Sequence, residues 1–139
     1  MSILVLTDAI EALFPTGTRF EAVKPNEDGE YVETMFPWTV ARVQLPDTRS
    51  RALAGTRHAQ RVRVSVTVAG VTFTSVRVIV DKLDPRLEGA RATAKGWATS
   101  PLRRLNVRDI TEDDSMTLTT ANRHPVFTVL EYELTATKL

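Results

Sequence analysis

The sequence predicts an α+β fold, with a mostly antiparallel sheet covered by an N-terminal helix and a second helix near residues 72–83. Three stretches carry that prediction. In "RVRVSVTVAG", Val62, Val64, Val66 and Val68 alternate with Arg61, Arg63, Ser65 and Thr67, which puts every valine on one pleat face of a half-buried strand. Just beyond it, Val76, Ile79, Val80 and Leu83 recur at i, i+3, i+4 and i+7, the stripe of an amphipathic helix. At the start of the chain, Ile3, Leu6, Ile10, Leu13 and Phe14 make a similar stripe over about residues 2–14, which Pro15 stops.

The second helix needs a decision, because Val76, Val78 and Val80 alone also fit a strand. As a strand, the segment would place Val78, Ile79 and Val80 on both faces and would follow Gly70 with almost no loop. As a helix it gathers its apolar groups on one stripe. The β-branched residues lose only a few tenths of a kcal/mol each in helix propensity, while burial of four large apolar side chains returns roughly 1.5–3 kcal/mol each. The helix is expected to end at Asp84-Pro85, since the residue before proline disfavours the helical region.

Between the first helix and the valine strand, β-type runs occur at Arg19 to Val23, Glu30 to Met35 and Trp38 to Leu45, separated by turn chemistry at Pro25 to Gly29. A hairpin and a further strand are expected there, with Pro37 at a bend or an edge. Residues 46–59, "PDTRSRALAGTRHA", show no period and are expected to form an exposed loop, with or without a short helical turn. After the second helix come a strand near Leu102 to Ile110, an acidic turn at Glu112-Asp113-Asp114, and a last strand near Pro125 to Thr135. In that strand Val126, Leu130, Tyr132 and Leu134 share a face.

The totals bound what the chain can do. With 139 residues, 42% hydrophobic and 25% charged, it is of single-domain size, so one domain over residues 1–139 is expected. No cysteine is present, which removes disulfides, thiolate metal sites and cysteine nucleophiles together. "MSILVLTDAIEALF" lacks a basic leader and carries Asp8 and Glu11, so it reads as part of the fold rather than a signal peptide. No apolar run approaches the ~20 residues of a membrane span. The net charge of +1 means that any grip on nucleic acid must come from local clustering.

Catalytic and metal signatures are weak. His58 and His124 lie at no metal-ligand spacing, and Glu112-Asp113-Asp114 lacks the spaced acids and glycine of a calcium loop. The six glycines are scattered singly, so no phosphate-binding loop occurs, and there is no nucleophile elbow. Neither an enzyme nor a cofactor or metal site is expected. Arg49, Arg51, Arg57, Arg61 and Arg63 form a basic cluster, but no aromatic residue lies between Trp38 and Phe73 to supply a stacking platform for single strands. Arg103-Arg104 is a smaller, less specific cluster.

The order of the pieces adds a likeness. The N-terminal helix, "RVRVSVTVAG", "TSVRVIVDKL", "PRLEGARAT", "SPLRRLNVRDITEDD" and "HPVFTVLEYELTAT" together resemble the tail terminator proteins of long-tailed bacteriophages, over most of the chain from about Gln60 onward. The motifs are the glycine step at Leu87 to Ala90, Arg108-Asp109 before the acidic turn, and the His124 to Phe127 strand opening. The resemblance implies a virion structural protein that forms a ring, typically a hexamer. Such a ring caps the tail tube at its head-proximal end and offers the surface for head joining. Its partners would be further copies of itself, the major tail tube protein and the head–tail connector. Its place would be the virion tail, and the host cytoplasm during assembly, with DNA only as passing cargo.

The family has no fixed active residues to carry over. The 46–59 segment departs most from its pattern, and there Arg49, Arg51 and Arg57 are expected to contact an acidic surface of a neighbouring subunit or of the tube, since arginine is favoured at interfaces and pairs with carboxylates. Two other readings stand beside this one. One is another head–tail connector or tail-completion protein, and the other a small nucleic-acid-binding module using the Arg49 to Arg63 cluster.

Overall fold

The computed structural model describes residues 3–25, 27, 29, 31–32, 35–44, 46–51, 57–118 and 124–139, with side chains at all of these but 47–51 and 57–58. Helix α1 (Ile3–Glu11) is followed by strands β1 (Trp38–Val43), β2 (Asp47–Arg51) and β3 (Arg57–Gly70). Helix α2 (Phe73–Leu87) then leads to β4 (Trp97–Thr99), β5 (Arg103–Val107), β6 (Thr111–Glu112) and β7 (Val126–Lys138). These make an α+β fold with one antiparallel sheet. Its centre is the β3–β7 pair, in register from Gln60↔Ala136 to Gly70↔Val126. Along its outer edge β3 pairs with β1 and then β2, while the outer edge of β7 pairs in turn with β6, β5 and β4. The sheet is therefore four strands wide, with both outer strands broken into pieces.

The alternating patterns decide which face is buried. Val62, Val64, Val66 and Val68 of β3, and Leu130, Tyr132, Leu134 and Ala136 of β7, are each no more than 1% exposed. Both helices lie over that face. From α1 come Leu6, Ile10 and, just past its end, Phe14; from α2 come Val76, Leu83 and Leu87, with Ile79 and Val80 packed at the margin. The helical stripe read from the sequence is thus the buried one, and Val78 points outward. Neither described helix lies on the opposite face of the sheet.

The step from β3 into α2 is made by three residues. A Cβ on Gly70 would collide with the Ser75 hydroxyl, so only glycine lets the chain fold back this tightly. Thr72 then caps the helix: its hydroxyl accepts from the Ser75 N–H at 3.2 Å, and the Ser75 hydroxyl accepts from the Thr72 N–H at 3.3 Å. This reciprocal box satisfies two donors that a helix start otherwise leaves open.

The far end of α2 is held by a polar cluster. Tyr132, 0% exposed on the valine side of β7, donates its hydroxyl to Asp84 Oδ1 at 2.5 Å. Arg104 of β5 reaches the other carboxylate oxygen at 2.9 Å, and its backbone N–H donates to Glu88 at 2.5 Å. One helix end is thereby tied to two strands. Burial, and then the hydrogen bond and charge of Asp84, push the Tyr132 phenol far above its usual range.

Five expectations are corrected. The second helix does not end at Asp84-Pro85 but runs through Pro85 to Leu87. Proline there forfeits one backbone bond, while Leu87 is wholly buried and Asp84 is fixed from two sides. Arg19 to Val23 is no strand: Arg19 alone bridges to Val40, in parallel, and Phe20 turns onto Phe14 at 5.9 Å. In the run from Glu30 to Met35, part of which lies outside the described residues, Tyr31 and Val32 are not in a strand; Tyr31 and Phe36 pack on Trp38 at 6.1 and 4.1 Å. Aromatic stacking in a loop replaces the expected ladder. Finally, residues 46–59 are not a plain loop, because Asp47–Arg51 pairs with the start of β3. Ile3 also leaves the core stripe, at 42% exposed.

Val76→Asp, which puts a charge into a fully buried site, is expected to abolish folding, whereas Val78→Asp shifts stability by no more than about 0.5 kcal/mol in urea denaturation. Tyr132→Phe is expected to cost about 1.5–3 kcal/mol at neutral pH, the usual worth of a hydrogen bond to a charged group. The folded phenol holds its proton where the unfolded one loses it, above about pH 10. Its contribution is therefore complete below that pH and declines as pH rises further, so the gap between wild type and variant should narrow in denaturation series run at successively alkaline pH.

Candidate functional site

The residues singled out in the sequence lie in a hairpin that continues past the body of the sheet. β7 meets β3 only from Gln60 onward, so the three residues before it, with their partners in β2, have no strand on their other side among the described residues. The pairing there is irregular. Thr48 faces Gln60 and Ser50 faces Ala59, which leaves Arg49 as the extra residue of a bulge; Arg51 faces Arg57, which leaves His58 as the extra residue on the other side. Backbone register thus brings Arg51 and Arg57 directly opposite each other, with Arg49 two residues away. Their side chains lie outside the described residues.

The remaining arginines of the cluster sit on the open sheet face. Arg61 and Arg63 flank Glu133 of β7, with Nε–Oε2 distances of 4.0 and 3.7 Å, and the Glu133 side chain is only 9% exposed. Two partly exposed cations beside one nearly buried carboxylate offset the cost of burying that charge. Arg42 and Arg103 join the same face by register, opposite Ser65 and Glu133, and Glu131 pairs with Arg108 at 3.3 Å. The face is a chequerboard of charge rather than a basic patch.

On the helix side a second feature appears that sequence reading missed. A cleft of about 400 Å³ opens between α2, the 15–19 segment and the start of β1. Its floor includes Trp38, Ile79 and Leu83, and its rim carries Arg19, Lys82 and Arg86. Arg86 is set in place by donating Nε–H to the Leu13 carbonyl at 3.2 Å. Among the described residues no acidic one lines it.

The other candidates fall into structural roles. His124 is half-buried, with Nδ1 2.7 Å from the Met116 carbonyl oxygen. In the acidic turn, Asp113 accepts from the Ser115 N–H at 3.1 Å and from its hydroxyl at 2.5 Å, which locks the turn locally. Among the described residues no group of three or more His, Cys, Asp or Glu is placed to hold a metal ion. No described helix is long and apolar enough to cross a membrane.

Glu133 could have been found from the letters, because "LEYEL" alternates and puts Glu131 and Glu133 on one face. What was missing was the β3–β7 register that sets that face beside Arg61 and Arg63. The cleft had only a partial signal, since Lys82 and Arg86 stand four apart on α2 while Arg19 comes from a separate segment. Neither a protein-family model nor a curated protein sequence matches the chain.

Like charges in direct cross-strand register destabilise a hairpin. Arg51→Glu is expected to stabilise the isolated subunit's hairpin by about 0.2–1 kcal/mol, read as slower amide exchange over residues 47–51 and 57–61.

Proposed function

We propose that this chain is a ring-forming virion protein of the tail-terminator kind, which caps a tail tube at its head-proximal end and offers a surface for the head to join. The observation that carries the reading is the irregular hairpin extending past the sheet, in which Arg49, Arg51 and Arg57 are drawn together by backbone register. Holding like charges opposite one another costs the lone subunit stability, and an acidic surface laid against them reverses the sign. An interface on a neighbouring subunit or on the tube supplies such a surface. The body suits the role as well: a sheet with helices on one face only leaves the other face and both edges open for contact, and head-to-tail contacts between different surfaces close into rings.

Duplex or single-stranded nucleic acid is also an acidic surface. The sharing of Arg61 and Arg63 with Glu133 works against it, because that carboxylate offsets the charge a phosphate backbone would have to find.

Replacing Arg49, Arg51 and Arg57 together by serine is expected to leave the thermal midpoint of the subunit within a few degrees, while rings and tube-capped ends disappear from negative-stain images. Rings that persist and still cap tubes place the contact elsewhere. DNA affinity that is lost in the variant and falls steeply with salt points to the nucleic-acid module instead.

A further inference from the structure

Trp38, Ala69, Phe127 and Thr111 are cross-strand partners that form one lateral row over the sheet, from the β1 edge to the β6 edge. At the β1 end of that row, Trp38 helps floor the cleft rimmed by Arg19, Lys82 and Arg86. At the β6 end, Thr111 leads directly into Glu112, Asp113 and Asp114. Both features face the same side of the sheet, because Glu112 stands opposite the core residue Val126 and the cleft is walled by α2. Arg19, Lys82, Glu112 and Asp114 are exposed, and none of the four makes an ion pair with a described residue.

We infer that the cationic cleft of one subunit receives the Glu112–Asp114 turn of the next copy of this chain. The two surfaces are complementary in charge, yet they cannot meet within one subunit, since three strand spacings, roughly 14 Å of sheet, lie between them. Between copies they can. The turn is rigid enough to dock, with Asp113 already bonded to Ser115, so Glu112 and Asp114 carry the contact while Asp113 holds its shape. The cleft is equally set, its Arg86 fixed by the Leu13 carbonyl. A contact between two different surfaces of the same chain is heterologous, and such contacts form rings where the rotation closes. This inference rests on the ring reading and names its subunit interface.

The test uses two full-length variants, both altered only at exposed positions: Arg19→Glu with Lys82→Glu in the cleft, and Glu112→Lys with Asp114→Lys in the turn. Mass is read by analytical ultracentrifugation and native mass spectrometry, with circular dichroism to verify folding. Wild type is expected to form rings that weaken as salt rises from about 0.1 to 1 M, where the Debye length falls from about 10 to 3 Å. Each variant alone should lose the ring. An equimolar mixture should recover it, because alternating subunits pair an unaltered cleft with an unaltered turn and a reversed cleft with a reversed turn. Either variant assembling like wild type overturns the inference, as does a mixture that fails to recover rings. A cleft variant that forms rings but no longer caps tubes also overturns it, assigning the cleft to the tube. A wild type that stays monomeric at every concentration, with and without tubes, refutes the ring reading itself.

Discussion

The β3–β7 pairing is the constraint on which the rest of the structure depends. Eleven consecutive partners run from Gln60↔Ala136 to Gly70↔Val126 without a bulge. Because side chains alternate strictly along a strand, this one register sets four valines beside Leu130, Tyr132 and Leu134 on one face and sets Arg61 and Arg63 beside Glu133 on the other. A slip of one residue would bury arginines under the helices. Apart from β1, which pairs with β3 in unbroken register, the flanking strands are less regular: β2 and β5 both carry bulges, and the edge of β7 is served by three short pieces. Irregular edges suit a sheet whose centre alone specifies the register, and they discourage indiscriminate edge-to-edge pairing.

The second dependence is the polar clamp at the end of α2. A buried tyrosine hydroxyl is costly without a partner, and Asp84 supplies one while being balanced by Arg104. The clamp also accounts for Pro85 inside the helix. Where the backbone loses a donor, side chains on Asp84 and Glu88 fasten the same turn to β7 and β5. Helix, core strand and edge strand are thereby fastened to one another at this end of α2.

How much of this was legible in the letters varies with how local the cause is. The valine strand, the α2 stripe, the N-terminal helix and the last strand all announce themselves by period, and all four are present. The misses have distant causes. Asp47–Arg51 has no alternation, a proline just before it and little β propensity; it is a strand because β3 continues alongside it. Arg19 to Val23 has the propensity but finds one residue to pair with. Pro85 looks like a stop until Tyr132, forty-seven residues on, is seen to hold the residue before it. For the candidate surfaces, the arginine cluster was visible as composition, whereas its division between a projecting hairpin and a neutralised sheet face was not. In the cleft, Lys82 and Arg86 could have been read as an i, i+4 pair on α2, whereas nothing in the letters joins Arg19 to them.

That division changes what the arginines can be for. Eight described arginine positions, 42, 49, 51, 57, 61, 63, 103 and 104, belong to β1, β2, β3 and β5, and on composition alone they look like one basic surface. The sheet separates two sets among them. Arg61 and Arg63 are committed to Glu133, which they help to solvate in a nearly buried position, so their charge is largely spent inside the subunit. Arg49, Arg51 and Arg57 sit beyond the reach of β7, where that strand can lend no carboxylate. Exposed charges without an ion-pair partner among the described residues include Arg19 and Lys82 at the rim of the cleft and Glu112 and Asp114 in the turn, at the margins of a body whose core is apolar.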